Sequence, residues 1–200
     1  MIRLDDSDLL LKSRNYRLYN HPTHQDVLLK VRADIPVRHH LIPRYAERRY
    51  GNLRQWNREA NEYLAALHRG CPEITRLARF MGFTRTTEGP ALQVEKLTGP
   101  DGGLAPTVSD EVSALEPSDP RRREIHDEVM DLVDDLERGQ IIVGDLYLDN
   151  IVRAVERNGR LVIIDGLGER VLLPLTLFSR TAFKRSIARR RRRLSIYYEG

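Results

Sequence analysis

Short apolar runs separated by polar turns dominate the first hundred residues, and this pattern is typical of β-strands. The five predicted strands cover Leu9–Lys12, Tyr16–Tyr19, Asp26–Arg32, Ile74–Thr86 and Ala91–Leu97. The polar turn Ser13-Arg14-Asn15 joins the first two strands, and Thr87–Pro90 joins the last two. We therefore predict an antiparallel sheet in this half of the chain.

A predicted helix, Leu53–Leu67, follows the third strand and ends before Gly70 and Pro72. Its apolar residues at helical spacing are Leu53, Trp56, Ala60, Tyr63, Leu64 and Leu67. On a helical wheel Glu59 lies at the margin of this stripe, whereas Glu62 points further out. We therefore expect Glu59 to be the acidic residue that reaches inward. The alternative is a boundary residue in a surface ion pair.

The Gly- and Pro-rich connector Gly99–Pro106 predicts a boundary between an N-lobe, residues 1–98, and a C-lobe, residues 99–200. The predicted elements of the C-lobe are a short helix within 107–117, a helix from Ser118-Asp119-Pro120 to Gly139, a brief strand Ile141–Val143, and a hairpin of Ile151–Val155 and Leu161–Ile164 around Asn158-Gly159.

Composition limits the class of protein. The 200 residues are 40% hydrophobic and 31% charged, with a net charge of +4, as in soluble globular proteins of one domain or one domain in two lobes. Cys71 is the only cysteine, which excludes an intrachain disulfide and fits a reducing compartment. No apolar run approaches the ~20 residues of a transmembrane helix, and the first residues lack the apolar core of a signal peptide. We therefore expect a cytoplasmic protein.

Candidate chemistry lies at Asp145, at Asn150 five positions later, and at Asp165 after an apolar run. Phosphoryl transfer requires a carboxylate that orients or deprotonates the attacking hydroxyl. It also requires an amide oxygen and a second carboxylate that hold Mg²⁺ on the nucleotide phosphates. Asp145 can fill the first role, and Asn150 and Asp165 the second. The alternative is a strand–loop–strand hairpin with polar turn residues.

Lys30 lies among the apolar residues of the predicted third strand. Lysine is scarce in this chain, with four among 33 Lys and Arg residues, and its burial is costly unless it is paired. One interpretation is an edge strand from which Lys30 reaches water; the other is a lysine directed at nucleotide phosphates and held by Glu59. Glu95 and Leu97, at the end of the fifth strand, complete the predicted nucleotide-binding residues. The predicted cofactors are ATP and Mg²⁺.

The order of these parts is that of the protein-kinase fold. Further matching pieces are Met1–Leu4, Tyr19–Pro22, Leu28–Val31, Arg58–Tyr63, Asp149–Val152, Asp165–Glu169 and Leu172–Leu175, of which the last two are the most specific. With these pieces the chain resembles the PhoP-regulatory-network (YrbL-like) protein family, a small bacterial branch of kinase-like proteins. The resemblance implies nucleotide binding and a compact α+β, kinase-like, two-lobed fold with an antiparallel-sheet N-lobe and a reduced helical C-lobe. It names no acceptor.

The chain departs from the kinase pattern at several positions. The turn Leu11–Tyr16 has no glycine, so its backbone is expected to cover phosphates poorly. Val143 replaces the usual His, Tyr147 a common Lys, and Gly166 the usual Phe. Only residues 166–200 follow Asp165, so we expect the acceptor hydroxyl to belong to a small molecule, sugar or lipopolysaccharide-type molecule. The alternative functions are a pseudokinase, which is a nucleotide-binding regulatory scaffold, and a basic membrane or nucleic-acid adaptor.

The strongest charge run is Arg189–Arg193, within Phe183–Leu194. Three interpretations compete. The run is a solvated helix face, a surface for an anionic membrane or lipopolysaccharide, or a nucleic-acid contact. The second would place the protein at the periphery of the inner membrane, and it relies on apolar Leu175, Phe178 and Ala182 in the preceding turns. The third lacks a recognition-helix motif.

Overall fold

The computed structural model describes residues 1–13, 15–33, 49–168 and 179–196. The chain divides into two compact units. We call them the sheet unit (Met1–Ala60 and Arg79–Lys96) and the helical unit (Asn61–Ala78 and Leu97–Gly200). The predicted boundary at residues 98 and 99 differs from this division in 61–78 and in Leu97 and Thr98, which belong to the helical unit.

The sheet unit contains an antiparallel sheet of five strands, in the order β1-β2-β3-β5-β4. The strands are β1 (Leu9–Lys12), β2 (Tyr16–Asn20), β3 (Val27–Arg32), β4 (Phe80–Thr86) and β5 (Gly89–Glu95). The predicted antiparallel sheet is confirmed. The fourth strand begins at Phe80 and not at Ile74, because Pro72–Arg76 form a 3₁₀ turn in which Leu77 N–H donates to the Ile74 carbonyl.

Helix α1 (Arg54–Arg69) continues from the sheet unit into the helical unit. In the sheet unit, Trp56 is buried and stacks on Phe83 of β4, with 6.3 Å between ring centroids. The predicted apolar stripe is wrong in its second half, because Leu64 and Leu67 are 62% and 58% exposed. The inward positions of that half carry Glu62 and Ala66 instead.

The helical unit contains helices α2 (Val108–Ser113), α3 (Pro120–Arg138) and α4 (Arg180–Ile196), and the hairpin of β6 (Ile151–Ala154) and β7 (Arg160–Ile163). The predicted helices and hairpin are confirmed. Ile141–Val143 is not a strand, because only Val143 forms β-bridges, with Leu167 and Gly168, and both bridges are isolated. No helix among the described residues is long and apolar enough to cross a membrane.

A buried ion pair connects three elements of the helical unit. Arg76 Nε lies 2.6 Å from Asp135 Oδ2 on α3, and Arg76 Nη1 donates to the Leu161 carbonyl of β7. Burial alone would raise the pKa of Asp135, but hydrogen bonds from Arg76 and Arg138 lower it below its ordinary value. The hairpin that precedes Asp165 is therefore attached to α3 by a charged contact as well as by packing.

Candidate functional site

The Asp145 loop is fixed by hydrogen bonds to its own backbone. The Asp145 carbonyl accepts Tyr147 N–H at 3.1 Å and the side-chain Nδ2 of Asn150 at 2.8 Å. Asn150 N–H in turn donates to the Tyr147 carbonyl, which closes the 3₁₀ turn Leu148–Asn150. Leu146 and Leu148 are buried on either side of exposed Tyr147. Anchored leucines and an internal amide bond therefore define the conformation between Asp145 and Asn150.

The segment after β7 is joined to this loop through the backbone. Gly166 carbonyl accepts the N–H groups of Gly144 at 2.8 Å and Asp145 at 3.2 Å, and Gly168 N–H donates to the Ile142 carbonyl. Ile164 N–H donates to the Asn150 carbonyl at 3.0 Å. These bonds bring the backbone segments that carry Asp145, Asn150 and Asp165 together within the helical unit.

Two glycines are required for this approach. A Cβ on Gly144 would lie 2.4 Å from the Gly168 carbonyl oxygen. Gly166 has a φ of +86°, and a Cβ there would lie 2.8 Å from the Asp145 carbonyl oxygen. The Gly that replaces Phe after Asp165 therefore has a physical cause, since no side chain fits at this backbone contact.

The side-chain oxygens of this set suit a hard divalent cation. Asp165 is buried, and its Oδ1 accepts Gly166 N–H at 2.6 Å. Asn150 donates its Nδ2 to the loop, and its Oδ1 makes no hydrogen bond within the described residues. A carboxylate and an amide oxygen are ligands that Mg²⁺ accepts beside phosphate oxygens. The described residues hold no group of three or more His, Cys, Asp or Glu that could bind a metal by itself.

Lys30 lies in the sheet unit on β3, between β2 and β5. It is 5% exposed, and its Nζ lies 5.0 Å from the centroid of the Tyr16 ring. A lysine on an interior strand is not an edge-strand lysine, so that interpretation is wrong. A buried ammonium over an aromatic face gains a cation–π contact in partial exchange for its lost hydration.

Glu59 is buried at 7% exposure on the sheet-unit part of α1. Its Oε1 accepts Gln55 Nε2 at 3.0 Å, and Gln55 Oε1 lies 3.5 Å from Arg32 Nη1 of β3. The surface ion pair that was the alternative for Glu59 requires an exposed carboxylate, so the burial excludes it. The Gln55 side chain, one helical turn away, donates a hydrogen bond that orients the Glu59 carboxylate.

Glu62 is a second buried acid on α1, which the helical wheel placed wrongly. It is 6% exposed, and its Oε1 accepts Ile142 N–H at 3.0 Å within the helical unit. Burial raises the pKa of Glu62, while this backbone bond and Arg69 act in the opposite direction. Glu62 thus fixes the backbone immediately before Val143 and Gly144.

The side chains of Glu95 and Leu97 each contact residues of the unit to which they belong. In the sheet unit, Glu95 is buried, accepts Arg79 N–H at 3.1 Å and pairs with the Arg79 guanidinium at 3.2 Å. In the helical unit, the Leu97 side chain packs against Val152, Ala154 and Val162. Their part in nucleotide binding stays a prediction.

In the β1–β2 turn, Ser13 N–H donates to the Tyr16 carbonyl at 2.9 Å, and the Ser13 hydroxyl makes further bonds to the backbone. Ser13 Oγ accepts the N–H groups of Asn15 at 3.3 Å and Tyr16 at 3.1 Å, and it donates to the Tyr16 carbonyl. Arg14 lies outside the described residues, as do Leu172–Leu175 and Phe178. Two backbone donors that a glycine-rich turn would offer to phosphate are therefore bonded within the turn.

Tyr147 has a partner that sequence analysis missed. Arg193 of α4 donates from Nη1 to Tyr147 Oη at 3.1 Å, and its guanidinium carbon lies 5.4 Å from the ring centroid. The two residues are 46 positions apart, so no local pattern indicated the contact. An arginine thus lies beside the loop in which Tyr147 replaces a lysine.

Comparison with known proteins gives a family and no curated relative. No curated protein matches the chain significantly. Among solved structures, the crystal structure of Rad53 1–466 in complex with AMP-PNP is 18% identical with a TM-score of 0.49, and the match covers 80% of this chain and 38% of that one. Residues 2–198 match the family described as PhoP regulatory network protein YrbL. The chain therefore belongs to the YrbL family of PhoP regulatory network proteins, as its motifs predicted.

Proposed function

We propose that the protein is an ATP- and Mg²⁺-dependent phosphotransferase that acts on a hydroxyl of a small molecule, sugar or lipopolysaccharide-type acceptor. The observation that carries the proposal is the backbone-bonded arrangement of Asp145, Asn150 and Asp165 in the helical unit. Phosphoryl transfer depends mainly on positioning and charge stabilisation. Four backbone hydrogen bonds join the Asp145 loop and the residues before it to the segment that carries Asp165. These bonds position the two segments before any ligand binds.

Each residue has a role that its environment supports. Asp145 would orient or deprotonate the acceptor hydroxyl, and its backbone N–H and carbonyl are both fixed, which limits the positions of its carboxylate. Asn150 and Asp165 would hold Mg²⁺, which when bound neutralises charge on the nucleotide phosphates. Lys30, with Glu59 as its orienting acid, would contact the α- and β-phosphates.

The test is turnover and binding by the full chain. We expect Mg-ATP to raise the thermal unfolding midpoint, and Asp145→Asn to lower the rate of ATP hydrolysis or transfer by about 10²–10⁴-fold while Mg-ATP still binds. Asp165→Asn should weaken Mg-ATP binding as well. Asp149→Asn is the matched control, since Asp149 is an exposed acid of the same loop. An absence of binding at millimolar Mg-ATP would overturn the proposal.

The second candidate function is a pseudokinase that binds nucleotide as a regulatory scaffold. The observation that favours it is the Ser13 turn, whose bonded N–H groups reduce the backbone donors for a γ-phosphate. It predicts Mg-ATP binding with no turnover, and an Asp145→Asn variant that functions normally in cells. Measurable phosphoryl transfer that Asp145→Asn abolishes would exclude it.

A further inference from the structure

Helix α4 uses its apolar face for packing. Its side chains Phe183, Ile187 and Leu194 are buried in the same hydrophobic cluster as Leu146 and Leu148 of the Asp145 loop. A helix that inserts into a bilayer needs an exposed apolar face. The described part of α4 has none, so its contact with any partner depends on its polar face.

The opposite face of α4 forms a cationic stripe. Its members are the exposed residues Lys184, Arg185, Arg189, Arg192 and Arg193. The stripe spans about 14 Å along the helix, and none of the five makes an ion pair within the described residues. Arg191, by contrast, pairs with Asp134 and Glu137 of α3. Arg191 is therefore paired with α3, while the five residues of the stripe are exposed to solvent.

The stripe ends at the Asp145 loop. Arg193 contacts both the hydroxyl and the ring face of Tyr147, two residues after Asp145. Asp145 and exposed Asp149 would repel an anionic acceptor that approached this loop, and the guanidinium beside Tyr147 opposes that repulsion. The charge of α4 is thus placed where an acceptor of the proposed reaction must arrive.

We propose that the cationic stripe binds an acceptor that carries phosphate groups and brings its hydroxyl to the Asp145 loop. The proposal rests on the phosphotransferase function and specifies its substrate class. Guanidinium groups match phosphate oxygens in a bidentate geometry. A nucleic acid fits less well, because the face of the Tyr147 ring carries Arg193 and is not open for base stacking.

The test measures binding by the full chain in the absence of nucleotide. The probes are inositol hexakisphosphate by calorimetry, phosphatidylcholine vesicles with and without phosphatidylglycerol by sedimentation, and a short DNA duplex by anisotropy. Arg189→Gln with Arg192→Gln should weaken binding to a phosphate probe by about tenfold or more. The control pair Arg3→Gln with Arg85→Gln removes the same charge from exposed positions of the sheet unit and should change binding by less than about twofold.

Each outcome decides the proposal. Stripe-dependent binding of inositol hexakisphosphate supports it and indicates a free phosphorylated molecule, whereas stripe-dependent binding to anionic vesicles alone supports it and indicates a lipid headgroup. Equal losses in the two double variants, or no binding to either phosphate probe, would overturn it. Tighter, stripe-dependent binding of DNA would overturn it in favour of a nucleic-acid surface. Asp145→Asn should retain binding, so these results are separate from the turnover assay.

Discussion

Two turns of this chain belong to the proposed nucleotide site, and they are fixed by different hydrogen bonds. Around Asp145, backbone N–H groups donate to backbone carbonyls across two segments, at Gly144 and Gly166. In the β1–β2 turn, the Ser13 hydroxyl receives the neighbouring N–H groups. The backbone contact at Gly144 and Gly166 has no room for a side chain, whereas in the β1–β2 turn the backbone donors are bonded to one.

The difference concerns which backbone donors remain for a ligand. The glycines of the Asp145 region form an internal backbone contact, and the proposed chemistry depends on the side chains of Asp145, Asn150 and Asp165. In the Ser13 turn, two backbone N–H groups donate to the Ser13 hydroxyl, so fewer donors remain for a phosphate group. The proposed metal-binding residues around Asp145 are therefore preformed, whereas the β1–β2 turn is expected to limit the affinity for nucleotide phosphates. The predictions below test this contrast.

The largest expected effect is that of Gly144→Ala. The added Cβ would lie 2.4 Å from the Gly168 carbonyl oxygen, and backbone cannot withdraw as a side chain can. We expect a loss of roughly 3 kcal/mol in the free energy of unfolding, measured with denaturant. Gly103→Ala is the control, because its Cβ meets only the Asp101 side chain, and it should change stability by less than about 0.5 kcal/mol. Equal effects would show that the close contact is not formed.

The Gly166→Ala variant, compared with Gly102→Ala, distinguishes the cost of a steric clash from the cost of backbone strain. Gly166 and Gly102 both have positive φ, +86° and +79°, but a Cβ on Gly102 meets nothing within 4 Å. Gly102→Ala should cost about 1 kcal/mol of unfolding free energy through strain alone, and Gly166→Ala about 1 kcal/mol more through the clash with Asp145. Similar costs in the two variants would mean that Asp145 and Gly166 are not in contact.

The parts of the fold that have local causes could be predicted from sequence. Asn158 and Gly159 both have positive φ, as the hairpin turn requires, and the Asp119 side chain accepts Arg121 N–H at the start of α3. The types and spacing of Asp145, Asn150 and Asp165 indicated a candidate site, whose residues stay a prediction. Their approach through the backbone could not be predicted, since N–H and carbonyl groups are the same at every position but proline.

Contacts between distant segments account for the errors. Glu62 faces inward because its carboxylate accepts an N–H from a residue 80 positions later, whereas the helical wheel took the inward direction from Leu64 and Leu67. Leu64 and Leu67 are exposed for the same reason. The segments that pack against α1 determine which of its faces is buried, and this face is not the most apolar one. The Tyr147–Arg193 contact is a further case.

Asn150→Ala should have an intermediate effect. It removes the Nδ2 bond to the Asp145 carbonyl, which still accepts Tyr147 N–H, so we expect a loss of about 1 kcal/mol in unfolding free energy. Under the proposed function, Mg-ATP binding by calorimetry should weaken about tenfold or more, because the amide oxygen is lost too. Asp149→Ala, an exposed neighbour in the same turn, should leave both quantities nearly unchanged. Equal behaviour of the two variants would remove Asn150 from the proposed metal ligands.

The smallest effect, and the sharpest test of the contrast, is that of Ser13→Gly. Removal of the hydroxyl releases the N–H groups of Asn15 and Tyr16, at a cost of less than about 1 kcal/mol in a partly exposed turn. Released donors can reach a phosphate, so Mg-ATP affinity should rise about threefold, although stability falls. Ser13→Thr keeps the hydroxyl and should leave affinity unchanged. Weaker Mg-ATP binding in Ser13→Gly would show that the Ser13 bonds prepare this turn for nucleotide, and that the two turns differ in their chemistry but not in their readiness to bind.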